Sequence, residues 1–118
     1  MTDITSPITP EFISREVARA KTYFLVVFKR GPRERDDQEI LDDLQLKHLQ
    51  HMFALRQTGK LVLNGPSQID SEFRGLCIFN VSSIEEVGRY VNEDPLVVAD
   101  FLVAEIYPWM GLPGDQLP

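Results

Sequence analysis

Apolar residues recur along the chain at two different periods, and the change of period marks out its elements. Thr9-Pro10 ahead of Phe12, Ile13 and Val17 places a threonine cap before a proline at the first helical position. That pattern predicts a short helix over residues 10–20. Tyr23-Phe24-Leu25-Val26-Val27-Phe28 is β-branched and aromatic and runs into Arg30-Gly31-Pro32, the signature of a strand followed by a break. From Asp36 to Thr58 the period lengthens to that of a helix, bracketed by a possible capping pair, Asp36 with Glu39, and by Gly59-Lys60. Leu61-Val62-Leu63 predicts a second strand ending at the turn-like Asn64-Gly65-Pro66, and a loop runs from Ser67 to Arg74. Leu76 to Val81 predicts a third strand. Ser82 with Glu85 and Ser83 with Glu86 form overlapping capping boxes that open a helix running to Asn92. After Asp94-Pro95 a short helical turn leads into a fourth strand, Phe101 to Tyr107, and Gly111 to Pro118 has the glycine, proline and polar content of a loop.

The resulting order, βαββαβ, is that of a ferredoxin-like α+β domain with an antiparallel sheet and two helices on one face. It divides the chain into an N-terminal extension with a short helix, residues 1–21, and one α+β domain, residues 22–118. Several strands are apolar at consecutive positions, the pattern of a sheet covered on both sides. At roughly 25 cal/mol per Å² of apolar surface, a second copy packed sheet to sheet hides more area than the short helix could. A homodimer through the sheet faces is the expectation.

Composition narrows the partners. A formal net charge of −6 over 118 residues argues against nucleic acid, whose phosphates call for a basic patch. The longest apolar runs, Tyr23–Phe28 and Leu96–Ala104, fall far short of the roughly 20 residues that span a bilayer, so no membrane span is expected. Met1 to Pro10 is polar and lacks the basic-then-apolar layout of a signal peptide, which makes cytoplasmic residence the expectation. Cys77 is the one cysteine and lies in a strand pattern, which suits a buried structural thiol.

The candidate chemistry centres on His48. On the helical wheel Leu41, Leu44, Met52 and Leu55 share one arc, Ile40 and Leu49 flank it, and His48 sits in its middle. Imidazole, with an unperturbed pKa of about 6.5, is the side chain best suited to moving protons near neutrality. A histidine satisfied by one carbonyl or water fits the pattern as well. His48 and His51 form an H-x-x-H pair, but zinc needs further ligands, and the chain has two histidines and one cysteine. Neither a metal nor a nucleotide cofactor is expected. Asp94 before Pro95 has two readings, an N-cap with proline at N1 and a carboxylate that orients an imidazole, and spacing alone does not pair it with His48. Asn64-Gly65-Pro66 is either a structural turn or a backbone segment that approaches a small-molecule ligand. Tyr107 and Trp109 could line a pocket or close the core or a dimer seam.

The spacing of several pieces resembles the YCII-related family of the dimeric α+β barrel superfamily. They are His48-Leu49 ahead of Gly59-Lys60-Leu61, Gly65-Pro66, the strand Gly75 to Val81 with Ser83-Ile84-Glu85-Glu86, Asp94-Pro95-Leu96, and Pro108-Trp109. The resemblance implies a dimeric barrel and a small pocket in which His48 and Asp94 act as a proton-transfer pair. One branch of the family is associated with dehydrochlorination of chlorinated hydroxyhydroquinones, and related muconolactone isomerases shift protons on ring-cleavage products. The chain departs from the compact family pattern in its extension through Lys21 and in a longer, charged connection from Gly31 to Asp37. Two functions follow as expectations: a cofactor-independent lyase or isomerase acting on a low-molecular-weight aromatic or lactone-type metabolite, or a non-catalytic small-molecule-binding or accessory module.

Overall fold

The computed structural model describes residues 6–118. Its elements are α1 (Pro10–Ala18), β1 (Lys21–Arg30), α2 (Gln38–Gln57), β2 (Leu61–Pro66), β3 (Phe73–Phe79), α3 (Ile84–Asn92), α4 (Pro95–Val98) and β4 (Leu102–Gly111). By internal packing the chain divides into two compact units, Met1–Thr22 with Met110–Pro118, and Tyr23–Trp109. In the first, Thr9 caps α1 through a hydrogen bond from the Phe12 N–H, and Arg19 reaches both Glu16 and the Pro113 carbonyl. The apolar residues of α1, Phe12, Ile13 and Val17, are exposed.

In the second unit local chemistry sets each helix end. Asp37, one residue later than the Asp36 expected from sequence, caps α2 by accepting from the Ile40 N–H. A capping aspartate must have extended backbone while the following residues are helical, and that change falls at Asp37. Gly59, at φ +80, ends the helix in a conformation that costs other residues a Cβ clash. Of the two overlapping capping boxes only the cap of the second forms: Ser83 Oγ accepts from the Glu86 N–H, while the Glu86 carboxylate accepts from the Tyr90 hydroxyl instead of closing the box.

The four-stranded antiparallel sheet has the order β2-β3-β1-β4, that of the ferredoxin-like fold. The register pairs Phe24 with Phe79, Val26 with Cys77 and Phe28 with Gly75, so these six share one face. Together with Met52 and Leu55 of α2, Val87 and Val91 of α3, and Leu96, Phe101 and Leu102, they build the core. The opposite face carries Leu25, Val27, Leu63, Leu76 and Val103, half-buried or exposed. The sequence pattern ended β2 at Leu63 and left Asn64-Gly65-Pro66 as either a turn or a backbone segment near a ligand, whereas all three continue the strand, Pro66 opposite Gly75. β2 is an edge strand, where a proline forfeits no bond to a neighbour. Pro108 likewise sits inside β4, on the other edge, which carries that strand past the expected end at Tyr107. Among the described residues no helix is long and apolar enough to cross a membrane.

Candidate active site

His48 occupies the middle turns of α2, on the side that packs against the core through Leu41, Leu44, Met52 and Leu55. Its ring is 12% exposed and meets Phe28 edge-on, with centroids 6.1 Å apart. The Nδ1 atom lies 2.6 Å from Oδ2 of Asp94. Asp94 is the one buried charged residue among the described residues, at 1% exposure, and its other oxygen accepts from the Leu96 N–H at 2.9 Å. The two readings of Asp94 left open by the sequence therefore coexist: Oδ1 caps α4 while Oδ2 holds the imidazole. A carboxylate oxygen accepts, so the neutral ring carries its proton on Nδ1 and keeps the lone pair on Nε2. No described residue hydrogen-bonds Nε2 of His48.

His51 points elsewhere, donating from Nε2 to the Tyr90 carbonyl at 2.8 Å. The H-x-x-H pair thus serves two separate partners. Among the described residues no group of three or more His, Cys, Asp or Glu side chains is placed to hold a metal ion. Cys77 lies fully buried under the same region, and burial, followed by the negative charge of Asp94, pushes its thiol up to about 12.

A cavity of about 140 Å³ opens beside His48. Asn64, Gly65 and Pro66 line it from β2, and Phe28, Leu49, Leu96 and Leu102 supply apolar wall. The absent side chain at Gly75 helps to make the space: it lies on the core face opposite both Phe28 and Pro66, and a Cβ there would stand 2.7 Å from the Gly65 carbonyl oxygen. Tyr107 and Trp109 do not line this cavity; both are exposed, and Trp109 packs against Tyr23 with centroids 6.3 Å apart.

Three polar lining residues escaped the sequence reading: Gln45, which lies on α2 one turn before His48, and two arginines. Arg35 enters from the β1–α2 connection and Arg74 from the start of β3. The charge of the Gly31–Asp37 connection was the one hint of the former. Nothing in the local pattern marks Arg74, which lies where the β1–β3 register shifts.

No protein-family profile matches the chain, and no curated protein matches it. Among solved structures it is similar to 5-chloro-2-hydroxyhydroquinone dehydrochlorinase from Burkholderia phenoliruptrix AC1100, determined in complex with 2,5-dihydroxybenzoquinone. The TM-score is 0.58 at 20% sequence identity, over 74% of this chain and 92% of that one. The likeness, together with the strand order, establishes the fold as α+β and ferredoxin-like, of the kind found in dimeric α+β barrels.

Proposed function

We propose that the chain is a YCII-related lyase or isomerase in which His48 moves a proton on a small aromatic or lactone-type substrate. The carrying observation is the 2.6 Å contact between His48 Nδ1 and the buried Asp94, which leaves Nε2 as the basic nitrogen of a ring that lines the cavity. In the proposed step Nε2 takes a proton from a phenolic O–H or an acidic C–H, and Asp94 stabilises the imidazolium so formed. The electron pair released then follows one of two courses. It expels chloride, for a net loss of H⁺ and Cl⁻, or it shifts a double bond while Nε2–H returns the proton to another carbon. Neither course calls for a metal or an organic cofactor.

The cavity has room for a single ring, since a closed apolar cavity of about 150 Å³ is known to admit benzene. The ligand bound in the similar structure, 2,5-dihydroxybenzoquinone, is also a single ring. We also propose that two copies pair through the sheet face bearing Leu25, Val27, Leu76 and Val103, the apolar side left uncovered by α2 and α3.

The test is turnover of chlorinated hydroxyhydroquinones and of lactones, followed by chloride release and by absorbance, in the wild type and in His48→Gln. The expected result is turnover unaffected by EDTA and reduced about 10²–10⁴-fold in His48→Gln, with ligand affinity nearly unchanged. Ligands that shift the His48 ring signals in NMR spectra but are never converted would replace the enzyme with a non-catalytic binding module.

A further inference from the structure

The charges around the cavity are distributed against the sign of the whole chain. The net charge is −6, yet Arg35 and Arg74 both line the cavity and Arg30 stands close to them. One carboxylate is shared by two of the three: Asp70 pairs with Arg30, and the same Oδ1 atom lies 3.2 Å from Arg74 Nη1. Asp70 is 83% exposed, so solvent screens much of its effect. Arg74 is 22% exposed and therefore largely covered. Arg35 has no hydrogen-bond or ion-pair partner among the described residues. Arg35 is itself exposed; partial burial first, and then the charges of Arg74 and Arg30, lower its pKa, with Asp70 acting in the opposite direction.

The connection that carries Arg35 is not loosely held. The Gly31 N–H donates to the Phe101 carbonyl at 2.9 Å and the Arg33 N–H to the Asp100 carbonyl at 3.1 Å. The Arg33 guanidinium lies over the Phe101 ring, 4.6 Å from its centroid. A Cβ at Gly31 would run into the Asp100 carbonyl, so the close approach of these two loops requires glycine.

Two guanidiniums line one cavity, and one of them has no partner among the described residues, so a bound anion would find both charge and donors there. We propose that the ligand of the His48 cavity is a single-ring aromatic acid whose carboxylate is held by Arg35 and Arg74 while the ring is presented to His48. Guanidinium forks match a carboxylate in geometry as well as charge. The carboxylate fixes the orientation of a ring that the apolar walls alone would let rotate. This inference rests on the reading of the cavity as a ligand site.

The experiment compares 2,5-dihydroxybenzoate with its uncharged counterpart 2,5-dihydroxybenzamide. Each is titrated into wild type, Arg35→Gln and Arg74→Gln, with affinity read by calorimetry and location by the His48 imidazole signals in NMR spectra. Circular dichroism confirms that each variant is folded. In the wild type the benzoate should bind at least tenfold more tightly than the benzamide, and the preference should weaken with added salt. Either arginine substitution should abolish most of the preference while leaving benzamide affinity within about twofold. Equal affinity of the two compounds in the wild type, both shifting His48, overturns the carboxylate inference and leaves the proton-transfer site standing. If neither compound shifts the His48 signals, the ligand-site reading fails and the inference fails with it. An undiminished preference in both variants also overturns it.

Discussion

Asp94 should respond very differently to loss of its charge and to loss of both its oxygens. In Asp94→Asn the retained Oδ1 still caps α4, because asparagine and aspartate cap about equally well. What changes is the partner of His48 Nδ1, where a charge-assisted bond worth about 1.5–3 kcal/mol gives way to a neutral one worth about 0.5–1.5. The expected cost is therefore near 1 kcal/mol. Asp94→Ala removes the cap, worth about 1 kcal/mol, together with the bond to His48. It also leaves the Leu96 N–H and the His48 ring without partners in a region where Asp94 is 1% exposed and Leu96 6%. Roughly 3–4 kcal/mol should be lost, because an unsatisfied buried donor carries its full desolvation penalty.

Urea denaturation at one fixed protein concentration measures both variants, the concentration being held because a dimer links stability to it. A cycle with His48→Ala isolates the pair, and a coupling of about 1.5–2 kcal/mol is expected between residues 48 and 94. On a confirmed substrate the order of effects on stability should not carry over to rate, since the mild Asp94→Asn should still lose about 10²–10⁴ in turnover. Asp94→Ala costing under 1 kcal/mol, or zero coupling with His48, would show that the carboxylate neither caps α4 nor holds the imidazole.

Gly75→Ala should cost about 2 kcal/mol or more and also reduce ligand binding, because the new Cβ meets the backbone of the edge strand and no flexible side chain can yield; thermal melts and ligand titration check both arms. Cys77, with its thiol raised to about 12, should resist alkylation at pH 8 in the folded protein and react readily in urea. The same shift has a defined sign in stability: the folded chain holds this proton more tightly than the unfolded one. The contribution is present below the ordinary thiol range near 9 and is lost as pH rises from there toward 12, which urea titrations of wild type and Cys77→Ala at alkaline pH would resolve. Sedimentation should show a dimer at micromolar concentration, and Val103→Lys, on the uncovered sheet face, should shift it toward monomer.

The order of elements was legible because each rests on local chemistry. Thr9-Pro10, Ser83 with Glu86, and Gly59 state their roles within a few residues. Asn64-Gly65-Pro66 misled for a physical reason: glycine and proline signal a turn unless the strand lies at a sheet edge, and edge position is a property of the assembled sheet. The site was legible only in pieces. A histidine in an apolar arc announces itself, but its partner lies 46 residues away, and Asp94 carried a sufficient local explanation as a cap. Arg35 and Arg74 share no local pattern at all. Their convergence depends on the β1–α2 connection and the start of β3 meeting beside Gly75.

If Asp94 fixes the His48 tautomer so that Nε2 faces the ligand as a base, ¹⁵N-resolved NMR of the imidazole rings will show it without any substrate. The chain has only two histidines, and His51, donating from Nε2 to the Tyr90 carbonyl, supplies the opposite tautomer as an internal reference. At a pH where the rings are neutral, His48 should carry its proton on Nδ1 in the wild type. In Asp94→Asn the proton should move to Nε2, because the amide N–H then donates to Nδ1. A wild-type His48 protonated at Nε2, or one whose tautomer is unchanged by Asp94→Asn, would mean that Asp94 does not set the basic nitrogen.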